Sequence, residues 1–124
     1  MQFNEFIDQV RERTRLDTPE DAERVARAVL ETLGERLDRK VRNGVEAQLP
    51  NELKEVLLAR AQTTDQYSLE EFFNRVGARA DLTHQDAAQR TRQVLSVLQD
   101  AIAEGEKRQI LESLPPEYGP LFSA

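Results

Sequence analysis

The chain has no cysteine and no tryptophan, and it carries one histidine, five glycines and five prolines among its 124 residues. Without cysteine there is no disulfide, no thiolate metal site and no thiol nucleophile. The five glycines form no phosphate-cradling loop, and no Gly-x-Ser-x-Gly turn lifts a serine into reach of substrate. No apolar run approaches the roughly 20 residues that span a bilayer. The opening Met1-Gln2-Phe3-Asn4-Glu5 has no signal-peptide character, so the expectation is a soluble, cytoplasmic protein with no membrane contact. No stretch alternates apolar and polar residues with period two, and no sheet is expected.

What is present is charge. Charged residues make up 32% of the chain, with 17 basic against 23 acidic side chains and a net charge of −6. Cut at Gln62, the first half holds 11 basic and 13 acidic residues and the second 6 and 10, so neither half is a basic arm. Arginine outnumbers lysine 14 to 3. The guanidinium fork suits carboxylate and phosphate partners, but pairs such as Glu20 with Arg24 and Glu23 with Arg27 fit intrahelical ion pairing equally well. The densest basic stretch is Arg36, Arg39, Lys40 and Arg42, interrupted by Asp38. These four residues are the candidate contact for an anion or an acidic partner, although four charges make a small footprint.

A length of 124 residues fits one domain with a radius of gyration of roughly 14 Å. Within it the chain matches itself. A shift of 66 aligns Glu5-Phe6-Ile7 with Glu71-Phe72-Phe73, Val10 with Val76, Arg13 with Arg79 and Leu16 with Leu82. From there a shift of 65 aligns Thr18 with Thr83, Asp21-Ala22 with Asp86-Ala87, Val29-Leu30 with Val94-Leu95, Leu33 with Leu98, and Leu49-Pro50 with Leu114-Pro115. The matches fall on apolar, capping and proline positions, and they read as a tandem duplication. The first copy spans residues 1–60, the second 68–124, and the polar segment 61–67 connects them.

Each copy parses into helices. Ala22, Val25, Ala26, Val29, Leu30, Leu33 and Leu37 form a stripe of helical period, repeated by Ala87, Thr91, Val94, Leu95, Leu98 and Ile102. Thr18 before Pro19 marks the first start and Thr83 the second. Gly34, inside the first stripe, signals either a break or a close helix contact. Shorter helices precede the stripes, bearing Phe3, Phe6, Ile7 and Val10, and then Leu69, Phe72, Phe73 and Val76. Ser68 and Glu71 form a capping box for the second of these. Turns near Asp38 and near Glu104-Gly105 lead to short helices with Val41, Val45 and Leu49, and with Ile110, Leu111 and Leu114. Pro50 and Pro115-Pro116 then open last helices with Leu53, Val56 and Leu57, and with Tyr118, Leu121 and Phe122. The expected fold is all-α, about eight helices in two tandem repeats related by a pseudo-twofold axis.

The phrases Val29-Leu30-Glu31-Thr32-Leu33-Gly34-Glu35-Arg36-Leu37 and Glu46-Ala47-Gln48-Leu49-Pro50-x-Glu52-Leu53 resemble a bacterial family of uncharacterised proteins, domain-of-unknown-function family 2267. Phe6-x-x-x-Val10-x-x-Arg13 and Leu114-Pro115-Pro116-Glu117-Tyr118-x-x-Leu121-Phe122 resemble it too, so the likeness covers essentially the whole chain. It implies a small helical protein and supplies no catalytic or ligand residues.

Chemistry is sparse. His84, the lone histidine, falls in the first turn of a helix, and its match in the first copy is Pro19. An exposed residue beside a cap explains it better than a metal site with Asp81 or Asp86. Carboxylate pairs such as Glu20-Asp21 and Glu70-Glu71 sit at helix starts, where the dipole accounts for them. Most of the aromatics recur at matched helical positions and are expected in the core. Tyr118 to Phe122 either docks on the bundle or offers anchors to a partner. No catalytic, cofactor-binding or metal-binding residue is expected. The expectation is a non-enzymatic interaction or scaffold module, binding a protein partner or itself. The alternative is weak nucleic-acid binding through a helix-turn-helix-like segment from Arg36 to Arg42, which the net acidity opposes.

Overall fold

The computed structural model describes residues 1–62 and 64–122. Thr63, within the expected connector, and Ser123 and Ala124, at the end of the expected second copy, lie outside the described residues. Among the described residues there are eight helices and no strand. They are α1 (Phe3–Thr14), α2 (Pro19–Arg36), α3 (Arg39–Glu46), α4 (Asn51–Leu58), α5 (Leu69–Ala80), α6 (His84–Ala101), α7 (Glu104–Ser113) and a C-terminal 3-10 helix, η1 (Pro116–Phe122).

The helix starts follow the capping chemistry of the sequence. The Thr18 hydroxyl accepts the Asp21 N–H at 3.1 Å and the Thr83 hydroxyl accepts that of Asp86 at 3.1 Å. Ser68 accepts the Glu71 N–H at 3.1 Å, but the Glu71 carboxylate turns to Arg75 Nε at 2.8 Å instead of closing the expected capping box. Asp38 caps α3 by accepting the Val41 N–H at 2.9 Å. Helices α1 and α5 both end on a left-handed residue, Arg15 at φ 59° and Asp81 at φ 57°. Each turns the chain sharply into the next long helix at a cost of about 1 kcal/mol for a side chain in that region.

Four details differ from the sequence reading. The turn after α6 falls at Ile102-Ala103, and Gly105 lies inside α7. A glycine marks a turn when positive φ is needed, and no described glycine has one. The last helix is 3-10 and not α, because Pro120 lies inside it and has no N–H to donate. Leu49 and Leu114 lie just past α3 and α7 but are buried all the same. Arg24 pairs with Asp21 at 3.0 Å, not with Glu20, while Arg27 meets Glu23 at 2.8 Å as expected.

The stripes of α2 and α6 form the centre of the core, and Val29, Leu30, Val94, Leu95 and Leu98 are fully buried. Helix α2 packs on α1, α4 and α5, and α6 packs on α5, α1 and η1; α2 touches α6, and α3 lies on α7. Gly34 marks a close contact, since α2 runs unbroken through it. A Cβ there would overlap the Leu57 carbonyl oxygen of α4. The C-terminal segment docks on the bundle, with Tyr118, Leu121 and Phe122 all buried.

Candidate functional site

The densest polar cluster lies where the C-terminal half of α2 meets α5. Thr32 and Glu35 lie close together on α2, and Arg75 and Arg79 lie one turn apart on α5, so each pair shares a helix face. Arg79 donates to both Glu35 oxygens at 3.1 and 3.2 Å and to the Thr32 hydroxyl at 2.9 Å. Arg75 donates to Glu35 at 2.9 Å, Asp65 at 2.8 Å and Glu71 at 2.8 Å. The side chains of Glu35 and Arg79 are only 14% and 15% exposed, so this pair operates largely out of water.

The segment before α5 closes over the cluster. The Asp65 N–H donates to the Glu35 carbonyl at 3.1 Å. The Tyr67 hydroxyl shares its one proton between two acceptors, the Thr32 carbonyl at 2.8 Å and the Glu35 carboxylate at 3.1 Å. The Tyr67 carbonyl accepts from Arg36 Nε at 3.0 Å and from the Tyr118 hydroxyl at 2.6 Å. Arg75 lies over the Tyr67 ring, its Cζ 4.0 Å from the centroid, and Arg36 lies 5.3 Å from the Tyr118 ring. Tyr67 thereby ties α2, α5 and η1 to one point.

The electrostatics follow from this geometry. Burial pushes the Glu35 carboxyl up, but hydrogen bonds from Arg75 and Arg79, aided by the charge of Arg79, outweigh it and hold the group below its ordinary value. Burial, and then the Glu35 charge, push the Tyr67 phenol far up. The hydrogen bond to Glu71, with those to Glu35 and Asp65, raises the Arg75 guanidinium further, against the opposing effect of burial. Burial raises Tyr118 as well. Every shifted group in the cluster moves away from neutrality. The arrangement holds fixed charges in place.

The four basic residues singled out in the sequence are divided by the fold. Arg36 and Arg42 are buried, whereas Arg39 and Lys40 are exposed. Arg42 donates to the carbonyls of Gly34 at 3.1 Å and Leu37 at 3.0 Å, closing the C-terminal end of α2. Helical phase carried this information, since Arg36 stands three residues after Leu33 and Arg42 three before Val45, both on buried faces. His84 is exposed, bonds Asn74 at 3.0 Å through Nδ1 and packs edge-on to Phe73 at 5.7 Å. Among the described residues no group of three histidine, aspartate or glutamate side chains is arranged to hold a metal ion. None of their helices is long and apolar enough to cross a membrane.

Glu35, Tyr67, Arg75 and Arg79 were not candidates from sequence. Arg79 stood out only as the match of Arg13, and no local spacing links it to a glutamate 44 residues away. A family model described as "Uncharacterized conserved protein (DUF2267)" matches residues 3–121. No curated protein matches the chain.

Proposed function

The chain belongs to the DUF2267 family, and from that premise we propose that it is a non-enzymatic helical interaction module built from two tandem copies of one four-helix unit. The carrying observation is the use made of its most concentrated chemistry. Glu35, Arg75, Arg79 and Tyr67 bond to one another and to the backbone, joining α2, α5 and the segment between the copies. Side chains committed to architecture in this way leave the exposed faces to make contacts.

The two-unit reading draws support from several features. Helices α1 and α5 have 12 residues each, and α2 and α6 have 18 each. The packing partners exchange under the same pairing, α2 with α5 and α1 with α6, while α3 meets its own counterpart α7. The left-handed residues Arg15 and Asp81 fall at matched positions. Cross-unit packing of this kind favours one domain over residues 1–124, with copies 1–60 and 68–124, because a unit of roughly 60 residues is marginal alone. On this reading the module works in the cytoplasm on a protein partner or on a second copy of itself.

Large apolar side chains left exposed are few, and Leu58 and Leu111 are two of them. The test is affinity capture followed by substitution of these two. We expect one protein to be recovered reproducibly, and Leu58→Asp or Leu111→Asp to abolish its recovery while the helical signal stays intact. Recovery of nothing, or turnover of a small substrate by the purified chain, contradicts the reading. The nucleic-acid alternative retains only Arg39 and Lys40 as exposed basic charges from its segment, beside the exposed Asp38, and no observation favours it.

A further inference from the structure

Helix α7 is the least anchored of the eight described helices. Ile110 is its one buried residue in ten, whereas α3 and α4 each bury three of eight and η1 three of seven. Its main neighbours are two short elements, α3 and η1. On the flank towards α6 the packing stops at a solvent-open recess of about 340 Å³, lined by Gln99, Phe122 and four residues of α7. Among the described residues no side chain from Glu104 to Ser113 bonds another element. Lys107 turns to Glu104 at 2.8 Å, and Ser113 donates to the Ile110 carbonyl at 2.9 Å. Helix α3 is held differently, because its Arg42 bonds the carbonyls of Gly34 and Leu37 at the end of α2. The residue sixty-five on from Arg42 is Lys107, which makes no such tie.

The helix is also weak from within. It has no side-chain N-cap, carries Gly105 in its first turn, and is too short to persist alone in water. Where it meets α3, the Glu106 carboxylate lies against Gly44 with Oε2 buried and without a hydrogen bond. Burying an acceptor without a donor costs free energy that water returns on opening. We infer that α7 is a built-in opening segment: residues 104–113 leave the bundle and unfold as one unit while α1 to α6 and η1 stay folded. The pivots are Ile102-Ala103 and Leu114-Pro115, the irregular residues on either side. Ten unfolded residues readily span the roughly 15 Å that their helix covers. Helix η1 keeps its place through buried Tyr118, Leu121 and Phe122 and the 2.6 Å bond from the Tyr118 hydroxyl to the Tyr67 carbonyl. Opening bares Ile110, returns Glu106 to water and gives the chain a second shape. The inference goes beyond the module reading and stands without it.

The test is native-state amide exchange on the uniformly 15N-labelled chain, in urea below the unfolding transition. Residues 107–113 should share one protection value, at least about tenfold below that of residues 94–98 in α6. Urea should erode the α7 value only slightly, because its opening exposes little surface, and the α6 value steeply. Helix α3 should stay better protected than α7. In Gly105→Ala, where the added Cβ meets nothing within 4 Å, α7 protection should rise about threefold. The site is exposed, so the variant should fold, as circular dichroism would verify. Protection of α7 equal to that of α6, with the same urea dependence, would overturn the proposal, since α7 would then open only with the whole molecule. Protection that falls smoothly from the middle of α7 to its ends would overturn it as well, because that is fraying and not a unit. So would equal protection of α3 and α7, or no change on Gly105→Ala.

Discussion

Two arginine–carboxylate contacts join residues matched in the sequence and fare differently. On one side Arg79 of α5 reaches Glu35 of α2; on the other Arg13 of α1 reaches Asp100 of α6. In both, an arginine late in the shorter helix joins a carboxylate late in the long helix of the other proposed unit, and each also bonds a hydroxyl, Thr32 or Ser96. The first contact is covered. Tyr67, Asp65 and Arg75 close over it, leaving Glu35 and Arg79 14% and 15% exposed. The second has Gln9 and Ser96 beside it, at 3.4 and 2.8 Å from Arg13, and Asp100 stays 54% exposed. The same pair of charges is therefore a structural anchor in one place and a solvated surface contact in the other. What differs is the cover: the connecting segment supplies Asp65 and Tyr67, and Arg75 of α5 stands where α1 has Gln9.

The comparison can be broken most forcefully through the core beneath both contacts. Leu30 and Leu95 are matched and fully buried, so alanine at either should cost about 2–5 kcal/mol in denaturant unfolding. Values that differ by more than this range between the two sites would mean that the long helices do not play matched roles. Next comes Gly34→Ala, which drives a Cβ into the Leu57 carbonyl and should cost about 3 kcal/mol as α2 and α4 part. At Gln99, sixty-five residues on, alanine should change stability by less than about 1 kcal/mol, since that side chain is only partly buried and bonds a carbonyl of its own helix.

Acid sharpens the contrast further. The Glu35 carboxyl ionises more readily in the fold than its ordinary value of 4.5 allows, because the hydrogen bonds from the two arginines outweigh burial. A lowered value means the stabilisation is fully present above the unfolded value and is lost as pH falls through the folded one. Stability of the parent should therefore drop as pH falls below about 4.5, and Glu35→Gln, already weaker at pH 7, should lose less over that interval. Parallel pH profiles for the two proteins would contradict this account of Glu35. The smallest effect belongs to His84→Gln. This residue is exposed in the first turn of α6, so stability should stay within about 0.5 kcal/mol of the parent by thermal unfolding. A larger loss would give weight to its contacts with Asn74 and Phe73.

Much of the helical layout was legible in the sequence because it rests on local rules. Thr18 before Pro19, Thr83 before Asp86 and the apolar stripes each report a residue's own helix. Gly34 announced something unusual, but only the crossing of α4 decided between a break and a contact. The charge cluster was not legible. The bonds that tie α2 to α5 and to Tyr67 join residues 31 to 47 positions apart, and single-sequence spacing rules see only neighbours three or four away. The division of the basic segment from Arg36 to Arg42 escaped the sequence reading for a related reason. Counting charges ignored helical phase, which turns Arg36 and Arg42 inward to cap carbonyls and leaves Arg39 and Lys40 outside.

The claim that cover by Tyr67, Asp65 and Arg75 makes one of two sequence-matched contacts an anchor is tested by a pair of double-mutant cycles, Arg79→Ala with Glu35→Ala and Arg13→Ala with Asp100→Ala, in urea at pH 7. The account predicts a coupling energy of about 2 kcal/mol for the covered pair and no more than about 0.5 kcal/mol for the open one. Equal couplings, or a larger value for Arg13 and Asp100, would contradict it.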